Sequence, residues 1–401
     1  MKITLIAGAR PNFMKVAPII KAIKAFNGER LAVSGEGISY RLVHTGQHYD
    51  KNMSDTFFEE LGIPAPDVNL GCGGGSQAEQ TAAIMVAFEK ELMAHPADVV
   101  LVVGDVTSTM ACSIVAKKLN TKVCHVEAGI RSWDLTMPEE INRMVTDSLA
   151  DYMFTTSEVA NENLQRLGAV LMNGDESKMS QNDPKNKVQQ RVWFVGNVMI
   201  DTLLANRARF RKPDVWDELK LQEKQFVVMT MHRPANVDEE NHLRAMMEQI
   251  IDNVLGLPVI FPIHPRTAKL FYGLWGSGAP DRAESHAGDE LAKRFPNLHI
   301  VEPMGYLEFN YLVERAKAVV TDSGGITEET TVMGVPCITL RDNTERPETC
   351  TVGTNELIGT NPAAIKPALD KLFAGEWKKG AIPELWDGHT AERIIDILAN
   401  L

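Results

Sequence analysis

Apolar runs alternate along the chain with longer segments of helical periodicity. In the first half, runs rich in Val and Ile predict strands near residues 3–7, 41–45, 98–103, 122–126 and 152–156. The intervening periodicity predicts helices at 14–26, 76–94, 109–119 and 138–150. The run VVLVV at 99–103 is apolar at every position, which is typical of a parallel strand covered on both faces. The pattern therefore predicts an α/β fold made of βαβ units.

The alternation restarts after a polar interval. Residues 173–190 have almost no apolar periodicity and predict an exposed loop near a domain boundary. Apolar strands then recur near 226–231, 258–263, 298–303, 318–322 and 335–340. We expect two Rossmann-like parallel-sheet domains facing a central cleft, the first over residues 1–192 and the second over 193–388. The helix over 389–401 is expected to rejoin the first domain.

Composition narrows the range of functions. The chain has 401 residues, of which 44% are hydrophobic and 23% are charged, a balance typical of a globular protein with two cores. Its formal net charge of −12 disfavours nucleic-acid binding, because no basic surplus is available for a phosphate backbone. The five cysteines lack CxxC spacing, so we expect reduced thiols in a cytoplasmic protein rather than disulfides or a zinc site. No apolar run approaches the ~20 residues of a membrane span.

Basic side chains follow several of the predicted strands. They are Arg10 and Lys15 after the first strand, His232 and Arg233 after the strand at 226–231, His264 after 258–263 and Arg346 after 335–340. Open α/β sheets bind ligands at the carboxyl ends of their strands, so together these residues indicate pyrophosphate ligands. Each one alone fits a solvated surface charge as well, and His264 fits a hydrogen-bonded core histidine about equally.

Three carboxylates also lie near strand ends in the first half. Asp105 follows VVG, Glu127 ends the run VCHV, and Glu139 follows Pro138. Asp105 fits the N-cap of the next helix, and Glu139 fits a first helical turn, where acidic residues are common. Glu127 is harder to explain structurally, because an ionised carboxylate at a buried strand end is costly unless it is paired or used. The three are candidate acid–base groups.

A nucleotide site is indicated by the segment AVVTDSGGITEE at 318–329. An apolar strand leads through Ser323, Gly324 and Gly325 into a helix that carries Glu329 in its second turn. Glycines let the backbone approach a phosphate, and the helix N-terminus favours an anion. A carboxylate such as Glu329 can accept ribose hydroxyls. An ordinary strand-to-helix turn explains the same glycines. Phe309 is a candidate for stacking on a base, although core packing is the commoner role of a helical Phe.

Several well-known motifs are absent from the sequence. The first turn reads GARPNF rather than GxGxxG, and there is no GxxxxGK[ST]. There is also no GxSxG elbow and no HExxH helix. These absences disfavour nicotinamide-dependent redox chemistry and zinc-dependent hydrolysis.

Eight segments together resemble the non-hydrolysing UDP-N-acetylglucosamine 2-epimerases. They are GARPxxxK at 8–15, GDVTST at 104–109, HVEAGIR at 125–131, PEEINR at 138–143, VGN at 195–197, HRPANVD at 232–238, TDSGGITEE at 321–329 and RDNTERPE at 341–348. The resemblance implies a GT-B-like fold, a homodimer, and interconversion of UDP-GlcNAc and UDP-ManNAc without metal or nicotinamide cofactor. It also implies a supply of ManNAc-type sugars for surface polysaccharide.

The resemblance also implies roles for individual residues. Asp105, Glu127 and Glu139 match its acid–base positions. His232 matches a nucleotide-binding position, and we count it with the catalytic residues because a histidine at the pyrophosphate would stabilise the departing charge. The family's other nucleotide-binding positions fall on Arg10, Lys15, Phe309, Ser323, Gly324, Gly325, Glu329 and Arg346. UDP leaves C1 while a carboxylate removes the C2 proton, giving a 2-acetamidoglucal, and UDP adds back with inversion at C2.

Three alternatives remain open at this point. One is an epimerase that acts on a modified UDP sugar such as UDP-2,3-diacetamido-glucuronic acid. Another is a GT-B glycosyltransferase, and the third is a catalytically silent UDP-sugar sensor, although a sensor has no reason to keep several costly acids. Some bacterial members of the family have a second, allosteric UDP-GlcNAc site, for which Gln47 and His48 are weak candidates.

Overall fold

The computed structural model describes residues 1–30, 37–47, 60–172, 190–263, 271 and 291–401. They form two compact units. The first unit contains Met1–Asn206 and Glu384–Leu401, and the second contains Arg207–Pro383.

The first unit is built on a sheet of parallel strands flanked by helices. Its strands are β1 (Lys2–Ala7), β2 (Ser39–His44), β3 (Val68–Asn69), β4 (Val99–Val103), β5 (Lys122–Val126), β6 (Tyr152–Thr155), β7 (Val170–Leu171) and β8 (Arg191–Phe194). They lie in the order β3, β2, β1, β4, β5, β6, β8, β7. The helices are α1 (Arg10–Arg30), α2 (Gln77–Ala94), α3 (Thr107–Lys118), α4 (Pro138–Leu149), α5 (Glu158–Arg166) and α6 (Val198–Asn206).

Strand β4 explains the continuous apolar run in the sequence. Val99, Leu101 and Val103 belong to one hydrophobic core, whereas Val100 and Val102 belong to another. Successive side chains of a strand point to opposite faces of the sheet, so both faces of the sheet are covered. The predicted parallel sheet of the first half is confirmed.

Helix α1 begins earlier than the apolar periodicity predicted. Asn12 Oδ1 accepts hydrogen bonds from the backbone N–H groups of Gly8 and Ala9, at 3.0 Å each. Its amide also donates to the carbonyl of Val103, at 3.1 Å. The buried Asn12 side chain thus stabilises the turn that leads from β1 into α1, and it ties that turn to β4.

The second unit repeats this architecture around a smaller sheet. Its strands are β9 (Val227–Thr230), β10 (Val259–Pro262), β11 (Leu298–Val301), β12 (Ala318–Thr321), β13 (Cys337–Thr339) and β14 (Asn355–Leu357), in the parallel order β11, β10, β9, β12, β13, β14. Its helices are α7 (Asp214–Glu218), α8 (Pro234–Val237), α9 (Glu240–Asn253), α10 (Tyr306–Arg315), α11 (Gly324–Met333), α12 (Pro347–Thr351) and α13 (Ile365–Phe373). Short 3₁₀ helices lie at Arg207–Arg209 and Pro362–Ala364. Val227 and Met229 pack on one face of the sheet and Val228 on the other.

The C-terminal helix α14 (Thr390–Ala399) packs into the first unit. The Asp201 carboxylate of α6 accepts hydrogen bonds from the N–H groups of Thr390, at 3.1 Å, and Ala391, at 2.7 Å. The sequence predicted domain boundaries after residues 192 and 388. The compact units divide after Asn206 and Pro383, because β8 pairs with β6 in the first sheet and α6 packs against α1.

The predicted fold class, two Rossmann-like parallel-sheet domains, is confirmed. Residues 173–189 of the predicted polar loop lie outside the described residues. Among the helices that are described, none combines the length and apolarity needed to cross a membrane.

Candidate active site

Glu127 is held at the end of β5 in an unusual backbone conformation. Its φ angle is +70°, in the left-handed region that non-glycine residues rarely occupy. The N–H groups of Glu127 and Ala128 both donate to the carbonyl of Phe154, at 3.0 and 3.1 Å. Backbone strain of this kind persists only where the surroundings enforce it, and it concentrates at functional sites.

A lysine from α1 compensates the charge of Glu127. Lys15 Nζ lies 2.5 Å from Glu127 Oε2, and both residues are buried. A buried carboxylate is tolerated when such a partner offsets the loss of hydration. The structure therefore brings together two of the predicted site residues.

Gly104 brings the end of β4 against this pair. Its φ angle is +66°, and a Cβ atom on it would lie 2.9 Å from Lys15 Nζ and 3.7 Å from Glu127 Oε2. The left-handed conformation favours glycine, and a side chain at this position would displace the ammonium group of Lys15. Asp105 is the next residue, so its backbone begins beside the pair of Lys15 and Glu127.

Asp105 is bound by an arginine of α4. Its Oδ2 accepts from Arg143 Nη2 at 2.5 Å and from Arg143 Nε at 3.1 Å. Asn142 Nδ2 donates to the Asp105 backbone carbonyl at 2.8 Å. The N-cap of α3 is Val106, so the interpretation of Asp105 as a helix cap is wrong. Its side chain keeps 30% of its surface exposed while it is anchored by Arg143.

The two adjacent glutamates of α4 have different environments. The helix begins at Pro138, so Glu139 lies in the first turn as predicted, and its side chain is half-buried. Glu140 is fully buried, and it accepts from the Ser132 N–H at 2.9 Å and from Arg143 Nη1 at 2.8 Å. Glu140 therefore stabilises the loop after β5, whereas Glu139 is the more accessible carboxylate.

The first unit contains further residues that the sequence predicted to bind ligands. Arg10 is the first residue of α1 and is exposed. Gln47 Oε1 accepts hydrogen bonds from the backbone N–H and the hydroxyl of Ser108, at 3.2 and 2.8 Å, so this oxygen is already bonded within the unit. His48 lies outside the described residues.

In the second unit, Asp322 organises the residues that follow β9. This fully buried carboxylate accepts from the backbone N–H groups of His232, at 3.0 Å, and Arg233, at 2.9 Å, and from Asn236 Nδ2 at 3.1 Å. His232 Nδ1 lies 2.9 Å from its Oδ1. Burial alone would raise the pKa of Asp322, but the hydrogen bonds and charge of His232 bring it below its ordinary value. An ionised Asp322 can only accept, so we assign the Nδ1 proton to His232.

The Ser-Gly-Gly segment lies at the start of α11 rather than in a separate turn. Ser323 is the N-cap, and Gly324 is the first helical residue. The sequence predicted a turn at residues 323–325 before the helix, whereas both glycines already belong to the helix and have no positive φ angle. A Cβ atom on Gly325 would meet no atom within 4 Å. The glycines leave the N–H groups of the first turn uncovered by side chains, as an anion site requires.

Glu329 and Arg346 each have a partner within the second unit. The hydroxyl of Tyr306 donates to Glu329 Oε1 at 2.8 Å, and both side chains are buried. Burial raises the pKa of Glu329 to about 7. Arg346 Nε lies 2.5 Å from Glu328 Oε1.

Phe309 lies on α10 and is half-buried against one of the two cores of the second unit. Core packing therefore accounts for the buried part of the Phe309 side chain. His264 lies outside the described residues. Within the described parts of the chain, His, Cys, Asp and Glu residues form no group of three or more that could hold a metal ion.

Comparison with known proteins identifies the family. The family model for UDP-N-acetylglucosamine 2-epimerase matches residues 32–399. The chain belongs to this family. The UDP-N-acetylglucosamine 2-epimerase of Methanocaldococcus jannaschii is 37% identical over 99% of both chains. The UDP-2,3-diacetamido-2,3-dideoxy-D-glucuronate 2-epimerase of Pseudomonas aeruginosa is 36% identical over 100% of both.

A solved structure extends the similarity to three dimensions. The crystal structure of Methanocaldococcus jannaschii UDP-GlcNAc 2-epimerase in complex with UDP-GlcNAc and UDP superposes with a TM-score of 0.79, at 37% identity and full coverage of both chains. The GT-B-like fold expected from the resemblance to the epimerases is confirmed.

Three residues that contact the candidate site residues were not predicted from the sequence. Asp322 orients His232, Arg143 binds Asp105, and Tyr306 binds Glu329. Asp322 and Arg143 stand inside segments that carried the resemblance, TDSGG and EEINR, and Tyr306 follows the glycine that caps α10. Asp322 directly follows β12 beside the candidate Ser323, and Tyr306 begins α10, so both could have been noted as polar residues at the ends of elements. Arg143 lies in the middle of α4, one helical turn after Glu139, where no such signal exists.

Proposed function

We propose that this chain interconverts UDP-GlcNAc and UDP-ManNAc by eliminating UDP and adding it back with inversion at C2. The observation that carries the proposal is the buried pair of Lys15 and Glu127, held by a left-handed backbone at the end of β5 in a chain of the epimerase family. Retaining a strained, buried carboxylate is costly unless it has a chemical role.

The reaction balances without an oxidant or a reductant. A carboxylate takes the C2 proton, and the C2–H electron pair forms the C1=C2 bond. The C1–O bond breaks with its electrons on UDP, which leaves 2-acetamidoglucal. UDP then attacks C1, while an acid delivers a proton to the opposite face of C2. Inversion thus needs proton-transfer groups for both faces, and Asp105, Glu127 and Glu139 are our candidates.

The residues of the second unit are proposed to bind UDP. The uncovered N–H groups at the start of α11 suit a phosphate, since Ser323 makes no side-chain cap and Gly324 and Gly325 carry no side chain. His232, oriented by Asp322, is suited to stabilise charge on the departing UDP, together with Arg10 and Lys15. Glu329 is proposed to accept ribose hydroxyls, and Phe309, His264 and Arg346 complete the proposed substrate-binding set.

A second substrate is supported by one specific comparison. The Pseudomonas aeruginosa relative, named for UDP-2,3-diacetamido-2,3-dideoxy-D-glucuronate, is nearly as similar in sequence as the Methanocaldococcus jannaschii relative. The elimination chemistry at C1 and C2 is the same for both sugars. The two candidates therefore differ only in how the protein receives the substituents at C3 and C6.

We also propose that the protein acts as a homodimer. Supporting this, α2 and α4 both pack on α3 and carry exposed apolar side chains. Val86 and Met93 of α2 are 56% and 66% exposed, and Ile141 and Met144 of α4 are 43% and 44% exposed. Exposed apolar patches commonly mark protein interfaces. Analytical ultracentrifugation of Met93→Asp and Met144→Asp should then reveal monomers, whereas Leu255→Asp, a change at an exposed apolar residue of the second unit, should leave a dimer.

The proposed setting is the cytoplasm, where the product would supply ManNAc-type sugars for surface polysaccharide. All five cysteines are free thiols, which suits a reducing compartment. Immunodetection in fractionated cells of the source organism tests this setting, and we expect the protein in the cytoplasmic fraction.

A substrate panel tests the proposed activity. Purified protein is incubated with UDP-GlcNAc, UDP-ManNAc, UDP-GalNAc and UDP-2,3-diacetamido-glucuronic acid, and the products are followed by NMR. The proposal predicts that UDP-GlcNAc and UDP-ManNAc each give the same mixture of the two. Turnover of the uronate alone would favour the second substrate, and sugar transfer to an added acceptor would favour a glycosyltransferase.

A further inference from the structure

A closed ring of polar contacts connects Asp105 to the carbonyl group of the residue before it. Asp105 pairs with Arg143 at 2.5 Å, and Arg143 pairs with Glu140 at 2.8 Å. Arg131 Nε lies 4.0 Å from Glu140 Oε1, and Arg131 Nη2 lies 2.6 Å from Asp147 Oδ2.

His125 completes this ring. Its Nδ1 lies 2.6 Å from Asp147 Oδ1, and its Nε2 lies 2.9 Å from the carbonyl oxygen of Gly104. The ring therefore consists of His125, Asp147, Arg131, Glu140, Arg143, Asp105 and the backbone of Gly104.

Both ring nitrogens of His125 face acceptors. A carbonyl oxygen can only accept, so Nε2 carries a proton. Asp147 Oδ2 also forms an ion pair with Arg131 Nη2 at 2.6 Å and accepts a hydrogen bond from the N–H of Gly129 at 3.1 Å. The guanidinium of Arg131 thus lies against Asp147 as its counterion, which favours the ionised carboxylate. An ionised Asp147 requires a proton on Nδ1 as well, so the contacts assign two protons and a positive charge to the imidazole.

The charges of the other ring members are compatible with this assignment. Apart from His125, the ring contains two guanidinium groups and three carboxylates, which leaves one negative charge. The side chains of Arg131, Glu140, Arg143 and Asp147 are at most 6% exposed, and His125 is fully buried. These two arginines and two carboxylates carry no net charge between them, so the remaining negative charge is that of Asp105, whose side chain is 30% exposed. An imidazolium at His125 makes the ring neutral.

The imidazolium also fixes the position of Gly104. His125 donates to the Gly104 carbonyl, while the Gly104 N–H donates to the carbonyl of Val126 at 3.1 Å. Both polar backbone groups of Gly104 are thus bonded to β5, the strand that ends at Glu127. Gly104 also lies against the Lys15 ammonium group and leads into Asp105.

We propose that His125 is a charged positioning residue that holds Asp105 in register with Glu127 through the carbonyl of Gly104. Its contribution to catalysis rests on the proposed epimerase function, whereas its charge does not. His125 does not itself contact the reacting groups; it sets the backbone from which Asp105 projects. A misplacement of about 1 Å in such a group lowers turnover about 100-fold.

The charge is tested by NMR on the full-length protein with ¹⁵N-labelled histidine. The His125 signals are identified by their absence from the spectrum of His125→Gln. The proposal expects the imidazolium pattern, with protons on both nitrogens. It expects Asp147→Asn to convert that pattern into the neutral tautomer with its proton on Nε2. A neutral imidazole at His125 in the wild-type protein overturns the proposal. If His125→Gln does not fold, the His125 signals are identified by triple-resonance assignment of the wild-type protein.

The positioning role is tested by kinetics with UDP-GlcNAc. His125→Gln should lower kcat about 100-fold and leave KM near its wild-type value. His299→Gln, a change at a half-buried strand histidine of the second unit, should retain wild-type kcat. Wild-type kcat in His125→Gln overturns the positioning role. Wild-type protein that fails to convert any UDP sugar contradicts the epimerase function instead, while the NMR result still decides the charge.

Discussion

Lys15 Nζ and Glu127 Oε2 lie 2.5 Å apart between α1 and the end of β5, in a buried part of the first unit. The two residues are 112 positions apart in the sequence. The pair therefore links the stability of the first unit to the carboxylate that we assign to proton transfer.

The pair predicts a strong coupling between two substitutions. Lys15→Met leaves a buried carboxylate without its cation and should lower the free energy of unfolding by about 3 kcal/mol. The double variant Lys15→Met, Glu127→Gln removes both charges and should recover most of that loss without recovering turnover. Urea denaturation of the two single variants and the double variant measures the coupling. Additive effects of the two substitutions would contradict a direct pair.

Arg143 predicts that lysine cannot replace arginine at this site. Its guanidinium reaches Asp105 and Glu140 at once, and a single ammonium cannot reproduce that fork. Arg143→Lys should lower kcat about 10- to 100-fold. Arg166→Lys changes an exposed ion pair with Glu162 and should retain wild-type kcat. Equal kcat values for the two variants would rule out a role of the fork in placing Asp105.

The contact between Asp322 and His232 predicts that turnover depends on the tautomer of His232. Asp322→Asn removes the carboxylate that holds the Nδ1 proton of His232, so the fraction of correctly oriented imidazole falls. We expect kcat to fall by about 100-fold, and its pH profile to change shape. Asp217→Asn, which alters an exposed ion pair with Lys212, is the matched control. An unchanged pH profile in Asp322→Asn would argue against this role.

Glu329 predicts a stability change with pH in the second unit. Its folded-state pKa of about 7 lies above the ordinary value of 4.5, so the folded protein retains a proton that the unfolded chain loses in this interval. The free energy of unfolding should therefore fall as pH rises from 4.5 to 7, by about 3 kcal/mol at most, and level off above pH 7.

The measurement for Glu329 is urea denaturation at a series of pH values. Glu329→Gln should remove this component of the pH dependence, because glutamine does not titrate. Glu376→Gln, a change at an exposed glutamate of the second unit, should leave the pH dependence intact. A wild-type slope that persists in Glu329→Gln would assign the effect to another group.

The sequence predicted individual strands and helices of this fold. It did not predict which residues that are distant in the sequence contact one another. The run VVLVV predicted β4 and its two covered faces, because a strand's side-chain pattern is local. Glu127 was correctly located at a strand end. Its left-handed backbone and its contact with Lys15 were not predictable, because they depend on Phe154 and on a helix far away in the sequence.

Contacts between distant residues also explain why some predictions from local sequence were wrong. Asp105 matches the local signature of a helix cap, and only the packing of α4 brings Arg143 to it. Gly324 and Gly325 match the signature of a turn, yet helical hydrogen bonding begins at Gly324. The partnership of Asp322 with His232 joins residues 90 positions apart, at the ends of two adjacent strands. Such contacts follow from strand order, which local periodicity does not encode.

The central claim is that Glu127 transfers the C2 proton, and hydrogen exchange at C2 tests it most directly. UDP-GlcNAc is incubated in D₂O with the wild-type protein, with Glu127→Gln, and with Glu162→Gln as an exposed control. UDP affinity is measured alongside for each protein. We expect deuterium at C2 in both epimers with the wild type and the control, and loss of most of this exchange in Glu127→Gln with UDP binding retained. Wild-type exchange in Glu127→Gln would contradict it.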